Sequence, residues 1–339
     1  MTSVPGYDLE GELGRGGFAT VYRATQRSIG RAVAIKLISD PDPPEDTIRR
    51  FTRESRAVGA LSWHPNIAAV IDAGSTDDGR AFIVFELLSG GSLEDAIVNR
   101  PLDWPEAVDA MVQVADAVEA AHRSDVLHRD IKPANILRDR FGKAKLADFG
   151  IASMQDGTKT ATGAVAVTVA HAPPEVFLGV ASTAASDVYA LGSTLHNLIA
   201  GTAPFAPPPG ESLLASIGRI ANESPPRLSP SLAPAAVGDV IVTALAKEPA
   251  ERFSSAGHFG RALQRAQREL GRPVTAMPIV DEDPAESPRE PRTPATRVVD
   301  TRAEPDWFPP SNTGEHNVGD TVVDPSQTDT ADIAEPEWF

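Results

Sequence analysis

The segment His128-Arg129-Asp130-Ile131-Lys132-Pro133-Ala134-Asn135-Ile136-Leu137, with Leu146-Ala147-Asp148-Phe149-Gly150 shortly after it, decides how this chain is read. It sets two aspartates, a lysine and an asparagine on short stretches beside apolar runs. Asp148 and Asn135 are oxygen ligands of the kind Mg2+ takes, few in number and completed by water or phosphate oxygens. Asp130 is a carboxylate able to accept a hydroxyl proton and orient a nucleophile, and Lys132 is a cation able to balance a transferring phosphoryl group. Either stretch alone arises in long chains by accident. Both in this order, behind the loop and lysine described next, do not.

Upstream, Gly14-Arg15-Gly16-Gly17-Phe18-Ala19-Thr20-Val21 joins two β-prone runs. Without Cβ atoms such a backbone can approach a phosphate chain closely. Alone it is often a bland turn, and it is not the dinucleotide fingerprint, because a strand follows it and not a helix. Next comes Val33-Ala34-Ile35-Lys36. A lysine closing an apolar strand is commonly an edge residue with its stem on the sheet. Here it follows the loop by a strand and a turn, where a cation for α- and β-phosphates is wanted. Glu54, on a helix expected over residues 47–61, can pair with it, although any surface helix offers acids.

The ordered part divides into two halves. Residues 7–88 read mostly as strands, and residues 89–271 mainly as helices, such as 104–123 and 254–270, whose apolar residues recur three or four apart. A small β-rich half before a larger helical half predicts an α+β, two-lobed fold with a ligand cleft between the lobes.

Taken together these motifs resemble the eukaryotic-like (Hanks-type) serine/threonine protein kinases of bacteria, over about four-fifths of the chain. The resemblance implies ATP and Mg2+ (or Mn2+) as cofactors and protein serine and threonine hydroxyls as acceptors. It implies that Leu13, Gly14, Arg15, Gly16, Gly17, Val21, Ala34 and Leu137 surround the nucleotide. Phe85 falls at the gatekeeper position, so that Glu86 and Leu88 offer backbone groups to adenine. Lys36 and Glu54 match the ion pair of the active state, Asp130 the catalytic base, Lys132 and Asn135 its companions, and Asp148 the metal-binding aspartate. Lys132, two residues after Asp130, is the serine/threonine-type pattern. Pro173-Pro174-Glu175 resembles the end of the activation segment. Asp187 matches the aspartate bracing the catalytic loop, and Arg252 the arginine that pairs with Glu175.

Three departures stand out. Ala19 replaces the third loop glycine, Val167 a glycine, and His171 an aromatic residue, while Thr168 keeps the substrate-facing position. Substrate preference is therefore the property least inherited from the family. Arg129 before Asp130 marks members switched by activation-loop phosphorylation, and Thr160 and Thr162 match the spacing of autophosphorylation sites, with a transient dimer as the natural vehicle.

Composition changes after Gly271. The last 68 residues hold 11 prolines, and 15 Asp and Glu against 5 Arg, a net −10 of the chain's −16. Such a segment buries too little apolar surface to offset its chain entropy, so residues 272–339 are expected to be a disordered acidic tail. Within it Glu304-Pro305-Asp306-Trp307-Phe308 recurs as Glu335-Pro336-Glu337-Trp338-Phe339. Repeated Trp-Phe pairs suggest docking motifs for a partner domain or for the tail's own kinase domain. Thr296 and Thr321 lie in settings that resemble those bound, once phosphorylated, by forkhead-associated domains.

The bulk numbers exclude other classes. There is no cysteine among 339 residues, hence no disulfide, zinc–thiolate site or thiol catalysis. The charge argues against a nucleic-acid surface. No secretion signal or membrane-length apolar run is seen, so a cytoplasmic protein is expected. Two rivals are disfavoured. A pseudokinase scaffold is given room only by Ala19 and the Val167 region, because Lys36, Asp130, Asn135 and Asp148 are all present. A small-molecule phosphotransferase of related fold tends to lack the Pro-Glu ending, the Asp187 helix and Arg252 found here.

Overall fold

The computed structural model describes residues 3–16, 19–40, 51, 55–149, 170–208 and 211–281. Glu54, Gly17, Thr160, Thr162, Val167 and Thr168 lie outside these residues, as do Thr296, Thr321 and both Trp-Phe motifs.

Five strands open the chain: β1 (Tyr7–Arg15), β2 (Ala19–Gln26), β3 (Arg31–Ile38), β4 (Val70–Ser75) and β5 (Ala81–Glu86). They form an antiparallel sheet in the order β1-β2-β3-β5-β4. Strand β3 alternates from Val33 to Leu37: Val33, Ile35 and Leu37 are buried with Ala24, Phe82 and Val84 in the small-lobe core. Period two then puts Ala34 and Lys36 on the opposite face. Lys36 pairs with Val21 across β2 and Ala34 with Phe85 across β5, so Val21, Ala34 and Lys36 share one face of the sheet. A register shift between Glu12 and Gly14 makes Leu13 an inserted residue, half-exposed at the end of the loop.

Residues 55–60 form helix α1. The larger lobe holds α2 (Leu93–Asn99), α3 (Trp104–His122), a hairpin of β6 (Ile136–Arg138) and β7 (Ala144–Leu146), α4 (Pro174–Phe177), α5 (Ala184–Ala200), α6 (Leu213–Asn222), α7 (Ala235–Ala244) and α8 (Ala256–Glu269). Helix α3 is buried on nearly every side, with Val108, Met111, Val112, Val114 and Val118 all inaccessible to solvent. With apolar residues over most of its circumference, α3 sits at the centre of its lobe, packed against α5, α8 and β7. The expected helices 104–123 and 254–270 appear within a residue or two of those bounds.

The domain boundary differs from the sequence expectation. Residues 272–281 do not join the tail. They pack on α3 and α8, Met277 is fully buried, and α9 (Pro278–Asp281) follows. The few apolar residues among its prolines carry no periodic signal, and Met277 is seated by Gly260 and Ala115, which come from two different helices.

One buried ion pair fastens the lower lobe. Arg252 meets Glu175 with two 2.8 Å bonds, Nη1 to Oε1 and Nη2 to Oε2. Its other donors reach the carbonyls of Ala246, Ala185 and Lys247. All five N–H groups are therefore used, a satisfaction only the planar guanidinium fork achieves. Burial would push the Glu175 carboxyl up, but the bonds from Arg252 and Ser186 hold it below the usual range. Arg252→Ala strands a buried carboxylate, so a loss of about 3–5 kcal/mol is expected. A thermal melt should show a midpoint lower by on the order of 10 °C, and Arg252→Lys should not restore it.

Candidate active site

The loop between α3 and β6 is built around Asp187, a fully buried carboxylate in the first turn of α5. It accepts the backbone N–H groups of His128 and Arg129, each at 2.8 Å, and is bonded by His122 Nε2 at 2.8 Å. Burial opposes its charge, yet the side-chain bond from His122 and the backbone N–H of His128 keep it below the ordinary carboxylate range. Arg129 has a φ of 66° and Asp148 one of 57°, a left-handed conformation rare outside glycine. Such strain persists where the surroundings over-determine it. At Arg129 the determinant is Asp187.

His128 links the two motif stretches. Its Nε2–H donates to Ala147 O at 3.1 Å, its Nδ1 accepts from Asp130 N at 3.3 Å, and its ring tilts against Phe149. Burial lowers its pKa, against the pull of Asp187 and Asp130, so it stays neutral. Ala147 N also donates to Asn135 O at 2.9 Å. The acid-bearing segments are thereby locked to one another.

On this frame the predicted chemical groups converge. Asn135 Nδ2 donates to the carbonyl and to Oδ2 of Asp130, at 2.7 and 2.9 Å. Lys132 Nζ lies 2.9 Å from the same Oδ2. Lys36 Nζ, from β3, pairs with Asp148 Oδ1 beyond β7. That contact joins the small lobe to the large one. The expected partner of Lys36, Glu54, is outside the described residues.

These groups suit a magnesium nucleotide. At Gly14 φ is not left-handed, and a Cβ would meet nothing within 4 Å. Neither packing nor backbone conformation demands glycine there, so its lack of a side chain suits an approaching ligand. Asp148 offers an exposed carboxylate, and Asn135, with its nitrogen committed to Asp130, offers its amide oxygen. Among the described residues no cluster of three or more His, Cys, Asp or Glu could cage a metal. Two protein ligands with phosphate oxygens completing the shell is the arrangement Mg2+ favours. The residues fit.

Two features escaped the sequence reading. Glu86 Oε1 accepts from Ala69 N at 2.9 Å and Lys145 Nζ at 2.6 Å, tying the inter-lobe connection to β7. A lysine in the short strand Ala144–Leu146 carries no sign of that pairing in its own neighbourhood. The second is His171. It is buried, with Nδ1–H donating to Ser193 Oγ at 2.8 Å and Nε2 accepting from Asn197 Nδ2 at 3.2 Å. The polar ring that replaces an aromatic is thus fully bonded in its neutral form to α5.

Burial, reinforced by the Lys132 charge, pushes the His171 pKa down to about 4, while Asp130 pulls the other way. Burial also lowers that of His196. These rings stay neutral in the fold, whereas the unfolded chain takes up protons near pH 6.5. The stabilisation is therefore complete above that pH and is lost as pH falls toward 4. His171 alone should cost roughly 3 kcal/mol by pH 4, at about 1.4 kcal/mol per unit. Denaturant midpoints between pH 7.5 and 4.5 should fall accordingly, and less steeply in His171→Phe.

Comparison with known proteins agrees with this architecture. The protein kinase domain family matches residues 7–264. The chain is 44% identical over 287 residues to the serine/threonine-protein kinase PknK of Mycobacterium tuberculosis, covering 84% of this chain and 26% of that protein. It is 39% identical over 256 residues to PrkC of Bacillus subtilis, covering 74% and 39%. It therefore spans only about a quarter of the length of the first of these relatives. The crystal structure of the M. tuberculosis PknI kinase domain superposes with a TM-score of 0.60 at 28% identity, over 78% of this chain and 97% of that one.

Proposed function

The chain belongs to the protein kinase domain family, and from that premise we propose that it transfers the γ-phosphoryl group of ATP to serine and threonine hydroxyls of proteins. The observation that carries the reading is the meeting of Lys36 with Asp148 across the lobes, beside Asp130, Lys132 and Asn135.

The roles follow from the chemistry of each group. Val21, Ala34, Leu13 and Leu137 form apolar walls for the base, and backbone groups at Glu86 and Leu88 face it. Lys36 neutralises phosphate charge, and the backbone at Gly14, Arg15 and Gly16 covers the phosphates. Asp148 and Asn135 hold Mg2+, which when bound supplies charge neutralisation on the phosphate oxygens. Asp130 accepts the hydroxyl proton and orients the oxygen for in-line attack. Lys132, already beside Asp130, balances charge on the moving phosphoryl group. Positioning and electrostatics do nearly all the work in such transfers.

Thr160 and Thr162 are proposed as autophosphorylation sites, with Arg129, exposed beside Asp130, as the charge partner. The Trp-Phe repeats are proposed as partner-docking motifs, and Thr296 and Thr321 as sites for a phosphothreonine-binding domain. No helix among the described residues is long and apolar enough to cross a membrane.

The test is transfer of label from γ-labelled ATP with Mg2+ to a casein-like protein by the full chain. Labelled protein is the expected result. No label would favour a scaffold, and label on small molecules alone a different phosphotransferase. Phosphopeptide mapping of the same reaction should find Thr160 or Thr162, and an active enzyme with phosphate on neither would end that assignment.

A further inference from the structure

Residues 272–281, beyond the family's own match, run back along α3. Asp109, Asp116 and Arg123 recur every seven residues, so they line one face of that helix. Each meets the returning segment. Thr275 Oγ1 donates to Asp109 Oδ1 at 2.9 Å, Ile279 N to Asp116 Oδ1 at 3.1 Å, and Arg123 Nη1 to Ile279 O at 3.1 Å. Gln267 binds both Asp109 and Thr275. Between these anchors Met277 is fully buried. A Cβ on Gly260, in the middle of α8, would lie 2.4 Å from Met277 Cε and 3.1 Å from Ala115 Cβ. Glycine is a poor helix former. Its place here is explained by the seat it makes for Met277, so the segment is a built part of the domain.

The middle anchor leads to the active site. Asp116 is fully buried, and its Oδ2 accepts from His64 Nε2 at 3.1 Å. His64 Nδ1 accepts from Asn66 N at 3.1 Å. Asn66 then holds β7 twice: its carbonyl accepts Leu146 N at 2.8 Å and its Nδ2 donates to Ala144 O at 2.8 Å. Ala68 N closes the ladder on Leu146 O at 2.9 Å. Strand β7 ends at Leu146, and Asp148 follows it with only Ala147 between.

We infer that Asp116, capped by Ile279 N–H, is a positioning residue for Asp148, acting through His64, Asn66 and β7; the inference rests on the kinase reading above. A buried carboxylate is set by its donors, and removing one leaves the remainder to reorient. Among the described contacts, one donor comes from the C-terminal strap and another from the loop that grips β7. Losing the strap's donor shifts His64, and with it the strand that aims the metal-binding carboxylate.

The experiment uses the full chain with Ile279→Pro, which removes the N–H, and Asp116→Asn, which keeps the shape. The expected result is a KM for Mg-ATP and a Kd for Mg-ADP raised roughly three- to tenfold, within the range of couplings through packed networks. The KM for protein substrate should be unchanged. Thr275→Val, a milder loosening of the strap, should move both constants the same way by less and serves if the other variants do not fold. A lower melting temperature with wild-type constants for Mg-ATP and Mg-ADP would mean a purely structural strap and overturn the inference. A wild-type protein that neither binds Mg-ADP nor labels protein would instead defeat the kinase reading beneath it.

Discussion

Asp130→Asn is expected to lower phosphoryl transfer by about 10²–10⁴-fold, the usual contribution of a positioned proton acceptor, while leaving the Kd for Mg-ADP within about twofold. The carboxylate sits where Asn135 Nδ2 and Lys132 Nζ both reach Oδ2. Those contacts define its rotamer, and an amide of the same shape can occupy the same place. What the amide lacks is any anionic oxygen to take the hydroxyl proton. Neither Asp148 nor Lys36 bonds to Asp130 among the contacts described, so the nucleotide side of the site should survive. Single-turnover transfer and calorimetric Mg-ADP binding, measured on one preparation, check both halves. Residual transfer within tenfold of wild type would remove Asp130 from the role of base.

Lys36→Met should reduce kcat by about 10²–10³-fold, as loss of one preorganised charge at a developing anion does. Its effect on stability should be small. The Lys36–Asp148 pair is partly solvated, the two side chains being 25% and 45% exposed. Pairs so wetted contribute about 0–1 kcal/mol. The predicted contrast, more than a hundredfold in rate against less than 1 kcal/mol in unfolding free energy, separates a functional contact from a structural one. Lys36→Arg should rescue poorly, because the broad guanidinium does not replace a compact ammonium at the end of β3. A melt that collapses in Lys36→Met would show that the pair holds the lobes together and that the rate loss is secondary.

Much of this site was legible beforehand, for reasons visible in individual residues. Period-two burial in Val33-Ala34-Ile35-Lys36 places Lys36 on the cleft face whatever the rest of the chain does. The short spacing from Asp130 to Asn135 lets the asparagine reach back to its aspartate within one turn. By contrast, nothing near Lys145 announces Glu86, 59 residues away. Nothing near Met277 announces the glycine of α8 that seats it. His128 stood inside the quoted motif, but its function as the bridge from Asp130 to Ala147 depends on two loops meeting.

Local sequence was enough for whatever a few neighbouring residues can decide: the alternation of the small-lobe strands, the helical spacing of the apolar residues in α3, and the set of acids, amide and cation that handles phosphoryl chemistry. Tertiary structure alone decided the joining of Lys36 to Asp148, the left-handed conformation of Arg129, the neutral bonding of His171, and the extension of the domain to residue 281. The division has one physical cause. Backbone periodicity and side-chain chemistry act over a few residues, whereas a buried charge is satisfied by whichever donors the completed fold brings within 3 Å, and those donors come from anywhere in the chain.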